Sequence, residues 1–231
     1  MTGRGRGRRV GRPGGLVAGL ITALITVAVA GCGGPAYTYV TNSQDHTYLR
    51  VPVSWRQLDT KAVAGALGID PADESTQAGF WLQGYDADPR PSVEHLTGQA
   101  ADAPAVFIGV RDVPASVRGQ ISLDLLRNLF RPVSESARDQ DALNPTSQFS
   151  GFSLVSDQVL APSPGLRGVH VVYVYRIDGG PPQTFDQIVY VNDDASKLYM
   201  FYVRCSTQCY GQRKPEITNV VSSFTVRETP A

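Results

Sequence analysis

Histidine, methionine, tryptophan and cysteine are all scarce in this chain: three, two, two and three among 231 residues. Each shortage narrows the chemistry. His46, His95 and His170 share no motif spacing, so a zinc site would have to gather ligands from three distant segments. No G-x-S-x-G elbow occurs, and Gly151-Phe152-Ser153 precedes a strand rather than a strand-to-helix turn. Glycine loops of the phosphate-cradling kind are missing as well. Carboxylates do cluster, but Asp70, Asp73 and Glu74 around Pro71 lack the alternating ligands and central glycine of a calcium loop. Asp86 with Asp88, and Asp193 with Asp194, read as turn formers. With no catalytic motif, no metal set and no cofactor expected, a non-enzymatic protein is the first expectation.

Long apolar runs are also rare, and the one that exists lies near the start. Arg4, Arg6, Arg8, Arg9 and Arg12 precede a charge-free stretch from Leu16 to Ala30. As a helix that stretch would rise about 22 Å, short of the ~30 Å hydrocarbon core of a bilayer, so a permanent span is disfavoured. Val29-Ala30-Gly31-Cys32 follows, with small residues before a thiol. This arrangement resembles the processing site of bacterial lipoproteins. The resemblance implies a signal peptide over 1–31, diacylglyceryl attachment at Cys32, and a protein held at the extracytoplasmic face of the cell membrane. Two or more acyl chains hold a protein stably where one does so only reversibly.

From Cys32 onward there are 16 basic and 21 acidic residues, a net charge of −5. No run of Lys or Arg is left there to displace counterions, so nucleic acid is not an expected partner. Arginine outnumbers lysine 18 to 3, a bias of high-GC genomes such as actinobacterial ones.

Periodicity gives the fold class. Residues 32–46 read as a tether, with a possible edge strand over Ala36 to Val40, and 47–228 as one domain. Thr47 to Val53 alternates at period two, and Asp59 is placed to cap a short helix that Gly68 stops. Gly79 to Tyr85 and Ala105 to Val110 read as strands. A long helix is expected from Ser116, with Ile121, Leu125, Leu126, Leu129 and Phe130 on one face and Pro132 ending it. Arg138 to Ser150 reads as an exposed connection. Four strand-like runs follow: Phe152 to Leu160, Val169 to Ile177, Phe185 to Asn192 and Lys197 to Cys205. Gly179-Gly180 and Asp193-Asp194 supply two of the turns between them. Around Tyr173 both strand faces are apolar, so the sheet must be covered on both sides. The helices near Asp59, Ser116 and Pro215 are available to do so. An α+β sandwich on a mostly antiparallel sheet is the expected class.

Two segments carry a second resemblance. Tyr48-Leu49-Arg50-Val51-Pro52-Val53-Ser54-Trp55, and a Pro215-led helix running through Ser222-Ser223-Phe224-Thr225-Val226 into a final strand, resemble the ends of PsbP-like domains. The resemblance implies an α/β/α sandwich and an extracytoplasmic accessory protein without a catalytic set.

Cys205 and Cys209, spaced C-x₃-C, read outside the cytoplasm as a disulfide. The aromatics Trp55, Trp81, Tyr173, Tyr175, Tyr190, Tyr199, Phe201 and Tyr202 read as core, with a ligand groove as the alternative. Arg176 and Arg204 interrupt apolar strands, either to pair with a carboxylate or to reach solvent at the sheet end. The expected function is a lipid-anchored envelope module that binds or assembles, its partner an unknown envelope protein or a small ligand. A carrier of a small apolar or glycan ligand would need a cavity between sheet and helix. A hydrolase would need a nucleophile, base and orienter converging in a cleft.

Overall fold

The computed structural model describes residues 35–69 and 79–227. Val29, Ala30, Gly31 and Cys32 lie outside the described residues, as do Asp70, Asp73 and Glu74.

A seven-stranded antiparallel sheet forms the middle layer, in the order β3-β4-β5-β9-β8-β7-β6. Its strands are β3 (Arg56–Gln57), β4 (Phe80–Asp86), β5 (Ala105–Asp112), β6 (Phe149–Leu160), β7 (Leu166–Ile177), β8 (Gln183–Asn192) and β9 (Lys197–Ser206). Strands β6 to β9 are a meander whose turns follow from local chemistry. Asp178 and Gly179 both take positive φ, 48° and 70°, and Gly180 N–H donates to the Ile177 carbonyl at 2.9 Å. Positive φ at both central residues matches the right-handed twist of the flanking strands, and glycine adopts it without steric cost.

Both faces of the sheet are apolar, as its strand pattern requires, and each has its own cover. One face carries Phe107, Val171, Tyr173, Phe185, Met200 and Tyr202. It packs under α1 (Thr60–Ala66), α2 (Glu94–Thr97) and α3 (Leu123–Arg127). Asp59 caps α1 by accepting from Ala62 N–H at 2.9 Å, as its spacing predicts. The opposite face carries Val106, Ile108, Tyr190, Tyr199, Phe201 and Val203. It packs under a small sheet of β1 (Tyr37–Asn42), β2 (Thr47–Pro52) and β10 (Thr225–Val226), ordered β1-β2-β10. The helix led by Pro215 joins this side, burying Ile217, Val220 and Val221. Trp55 locks the same layer by donating its indole N–H to Glu216 at 2.8 Å.

Three expectations need correction. Residues 32–46 do not serve wholly as a tether, because Tyr37–Asn42 pairs along the full length of β2, with Val40 buried. The long helix from Ser116 is instead a 3-10 turn, Ala115–Gln120, followed by the short α3. Ile121 is extended there, and Ser122 starts α3 by accepting from Leu125 N–H at 3.1 Å. The Arg138 to Ser150 stretch is not all connection, since α4 (Glu135–Ala142) runs into it, capped by Ser134. That helix buries no residue, so it leaves no hydrophobic period to read.

Candidate functional site

Between the first face of the sheet and its helical cover lies a cavity of about 390 Å³. Its wall is assembled from six separate elements: Leu67 after α1, Phe80 on β4, Phe107 on β5, Phe130 after α3, Phe149 on β6 and Met200 on β9. Phe107 and Phe130 meet edge to face, with ring centroids 6.0 Å apart, and Phe130 lies 5.0 Å from Tyr202. The aromatic floor is therefore continuous with the packed core. Of these rings the sequence places Phe130, on the apolar face after Ser116, and does not single out Phe80, Phe107 or Phe149. No local pattern marks those three as one wall, because each lies on a different strand.

The polar part of the lining is Thr97, Gln148 and two arginines, Arg111 and Arg131, with no Asp or Glu among the described lining residues. The Arg131 guanidinium sits over Phe149 at 5.0 Å and over Phe185 at 5.7 Å. One of its amino groups donates to the Phe130 carbonyl at 2.7 Å, while its Nε is buried without a hydrogen-bond partner. Arg111 is exposed near the end of β5.

Behind this wall is a third arginine that neither reaches solvent nor meets a carboxylate. Arg204 is fully buried. It donates to the Gly98 carbonyl at 2.8 Å and to Gln183 Oε1 at 3.1 Å, and packs over Phe185 at 5.4 Å. Burial pushes its pKa down from the ordinary arginine value. Tyr202 donates its hydroxyl to the Leu96 carbonyl, and burial raises its pKa. Arg176 follows the exposed alternative, reaching the Gly180 carbonyl at 3.1 Å.

The remaining chemistry-bearing groups are tied into the scaffold. Asp86, fully buried at the end of β4, accepts from Asp88 and Ser92 N–H groups at 2.9 Å and meets His95 Nδ1 at 2.6 Å. It is a turn former that also holds an imidazole. On the opposite face of the sheet, Asp186 meets His170 Nε2 at 2.7 Å and accepts from the Tyr210 hydroxyl at 2.7 Å. Burial first, then the Asp186 charge, raises the Tyr210 pKa. Sequence spacing could not reveal the second pair, since His170 and Asp186 become diagonal neighbours only through β7–β8 pairing, where His170 faces Ile188 and Asp186 faces Val172. Neither imidazole carries a hydrogen bond from a serine, threonine or cysteine among the described residues, so a hydrolase's nucleophile and base do not converge there. No group of three His, Cys, Asp or Glu that could hold a metal occurs among the described residues.

Cys205, the penultimate residue of β9, and Cys209, on the following helix, have Cα atoms 5.9 Å apart and form a disulfide-capable pair. Both are buried beside Phe201 and Ile217. Trp55, Tyr173, Tyr175, Tyr190, Tyr199, Phe201 and Tyr202 are core residues, and Trp81 packs partly buried against them.

Fold and site together define an antiparallel α+β sandwich with an apolar cavity on one side of its sheet. No family model matches the chain, and no curated protein does. Among solved structures it is similar to cyanobacterial PsbP (CyanoP) from Synechocystis, with a TM-score of 0.49 and 14% identity over 85% of this chain and 96% of that one. It is also similar to LpqN, described as involved in cell envelope biogenesis of Mycobacterium tuberculosis, with a TM-score of 0.42 and 14% identity over 83% and 91%. The Ran-binding protein Mog1p of Saccharomyces cerevisiae gives a TM-score of 0.40 at 7% identity over 82% and 95%.

Proposed function

We propose that this chain is an exported, lipid-anchored envelope protein whose α+β domain is a non-catalytic binding module, taking a small apolar ligand in the cavity under α1. The cavity is the observation that carries the reading. Its 390 Å³ falls at the lower end of the roughly 300–1,000 Å³ of ligand sites, and its wall is mostly apolar with a few polar groups. A solid core between sheet and helices would have argued against a carrier.

The test uses the full chain held in lipid nanodiscs and a dodecanol carrying a photoreactive diazirine. Irradiation is expected to label peptides containing Phe80 or Phe130, and Ala66→Trp, which fills the cavity from its rim, should remove that labelling. Absent labelling in the wild type, or equal labelling in the variant, would overturn the reading. The anchor rests on Val29-Ala30-Gly31-Cys32 and has its own check by cell fractionation. Cys32→Ala should prevent lipid attachment, and a processed variant that still sediments with membranes would refute the anchor.

Export also bears on Cys205 and Cys209, which in this reading are oxidised to each other. Closing so short a loop contributes about 2 kcal/mol in the chain-entropy model. Reductant should therefore lower Tm by roughly 4–8 °C for a domain of this size. Titration of two free thiols in the oxidised, denatured protein would show the bridge to be absent.

A further inference from the structure

We infer that the ligand of this cavity is a single-chain amphiphile with an anionic head group, carboxylate or phosphate, read by Arg131 with Arg111 beside it. The inference rests on the cavity binding an apolar molecule at all, and adds the charge and shape of that molecule.

Three observations lead to it. First, the cavity's described lining combines apolar side chains with two guanidinium groups, the neutral Thr97 and Gln148, and no carboxylate. Neither Arg111 nor Arg131 forms an ion pair among the described residues, whereas Arg127, on the helix just before Arg131, pairs with Asp124 and Asp157. Second, Arg131 is only partly satisfied. Aromatic rings lie against its guanidinium, one N–H reaches a carbonyl, and the buried Nε has no acceptor. Its second amino group makes no hydrogen bond among the described residues, and that is the donor left for an anionic oxygen in the cavity. Third, Arg204 stands behind the same Phe185 ring with only carbonyl and amide acceptors. Arg131 and Arg204 thus both pack against the Phe185 ring without a carboxylate partner among the described residues.

Arginine's planar fork suits carboxylate and phosphate oxygens through paired, charge-assisted hydrogen bonds. An apolar tail would lie along Phe80, Phe107 and Met200, and a volume near 390 Å³ suits one chain rather than two. A neutral ligand would leave the free amino group of Arg131 without a charged acceptor, and a cationic one would meet two like charges.

The nanodisc assay separates this inference from the one beneath it. Dodecanoate, dodecyl phosphate and dodecanol share a tail and differ in the head, and each is added as competitor against the photoreactive dodecanol. The anionic heads should compete at about tenfold lower concentration than dodecanol, the discrimination expected of a charge-assisted pair. The stronger of the two anions identifies the head group. Arg131→Gln should erase the preference while labelling by the neutral probe persists, and Arg111→Gln, at an exposed position, should reduce it by about threefold without altering Tm. Arg131→Lys, which keeps the charge but loses the fork, should give an intermediate preference and guards against a fold defect in the glutamine variant. Equal competition by all three molecules, or an unchanged preference in both glutamine variants, would overturn the anionic reading and leave apolar binding standing. Failure of the neutral probe to label the wild type would remove both.

Discussion

Arg204→Ala is expected to lower stability by about 3–5 kcal/mol, the largest effect of any single side-chain truncation considered for this domain. The residue is buried on every side, yet its partners are not acids. It donates to the carbonyl of Gly98 and to Gln183 Oε1, which also accepts from Ala101 N–H at 3.1 Å. Tyr202 reaches the Leu96 carbonyl from the same strand. Arg204 and Tyr202 on β9 and Gln183 on β8 thereby fasten the segment from Leu96 to Ala101 to the sheet. Truncation would take the guanidinium donor from the Gly98 carbonyl, leave Gln183 Oε1 with Ala101 N–H alone, and open a void beside Phe185. At roughly 2–4 °C per kcal/mol for a domain of 150–250 residues, Tm should fall by roughly 6–20 °C. Arg204→Met keeps the stem's volume and should recover part of the loss, because the void is filled and only the guanidinium's hydrogen bonds are missing. Denaturant titration of both variants measures this, and a loss below 1 kcal/mol for the alanine variant would mean the network contributes little.

Gly168→Ala is the second large expectation, at about 3 kcal/mol, the upper end for over-packing. Gly168 lies on β7 directly opposite Tyr190 on β8. A methyl group there would strike the Val189 carbonyl oxygen and come within 3.0 Å of Tyr190 Cα, both backbone atoms of an interior strand. The glycine makes room for the Tyr190 ring, which stacks on Phe224 at 5.8 Å and so links the large sheet to the layer above it. Removing a glycine also stiffens the unfolded chain, which would favour folding by about 0.4–1 kcal/mol. The steric term outweighs it. Gly119→Ala, where an added Cβ meets nothing within 4 Å, is the control and should leave Tm nearly unchanged. Equal behaviour of the two variants would refute the steric account.

How much of this was legible depended on whether the information was local. Strands β6 to β9 could be read because alternation and turn residues are written into consecutive positions. The cap at Asp59 and the stop at Gly68, whose φ is 74°, could be read for the same reason. The break at Ile121 could not, since Ser122 resembles any serine within an amphipathic run until its hydroxyl is seen to cap Leu125. Arg204 defeated the sequence because its partners are mostly main-chain carbonyls, which every residue possesses. The cavity defeated it too, its wall being drawn from six elements. Cys205 and Cys209, four residues apart, were visible as a pair at once.

The register of the small sheet carries a consequence for the order in which the protein can fold. Thr47 and Tyr48 pair with Val226 and Thr225, so the second strand of the domain and its last described strand are neighbours. The meander β6 to β9 can form from contacts close in sequence, whereas β2 lacks its β10 neighbour until Thr225 and Val226 have been made. A chain emerging amino-end first therefore holds β1 and β2 paired with each other while the far side of β2 waits open. That side is closed only by Thr225 and Val226, which arrive after the whole of the large sheet has been made.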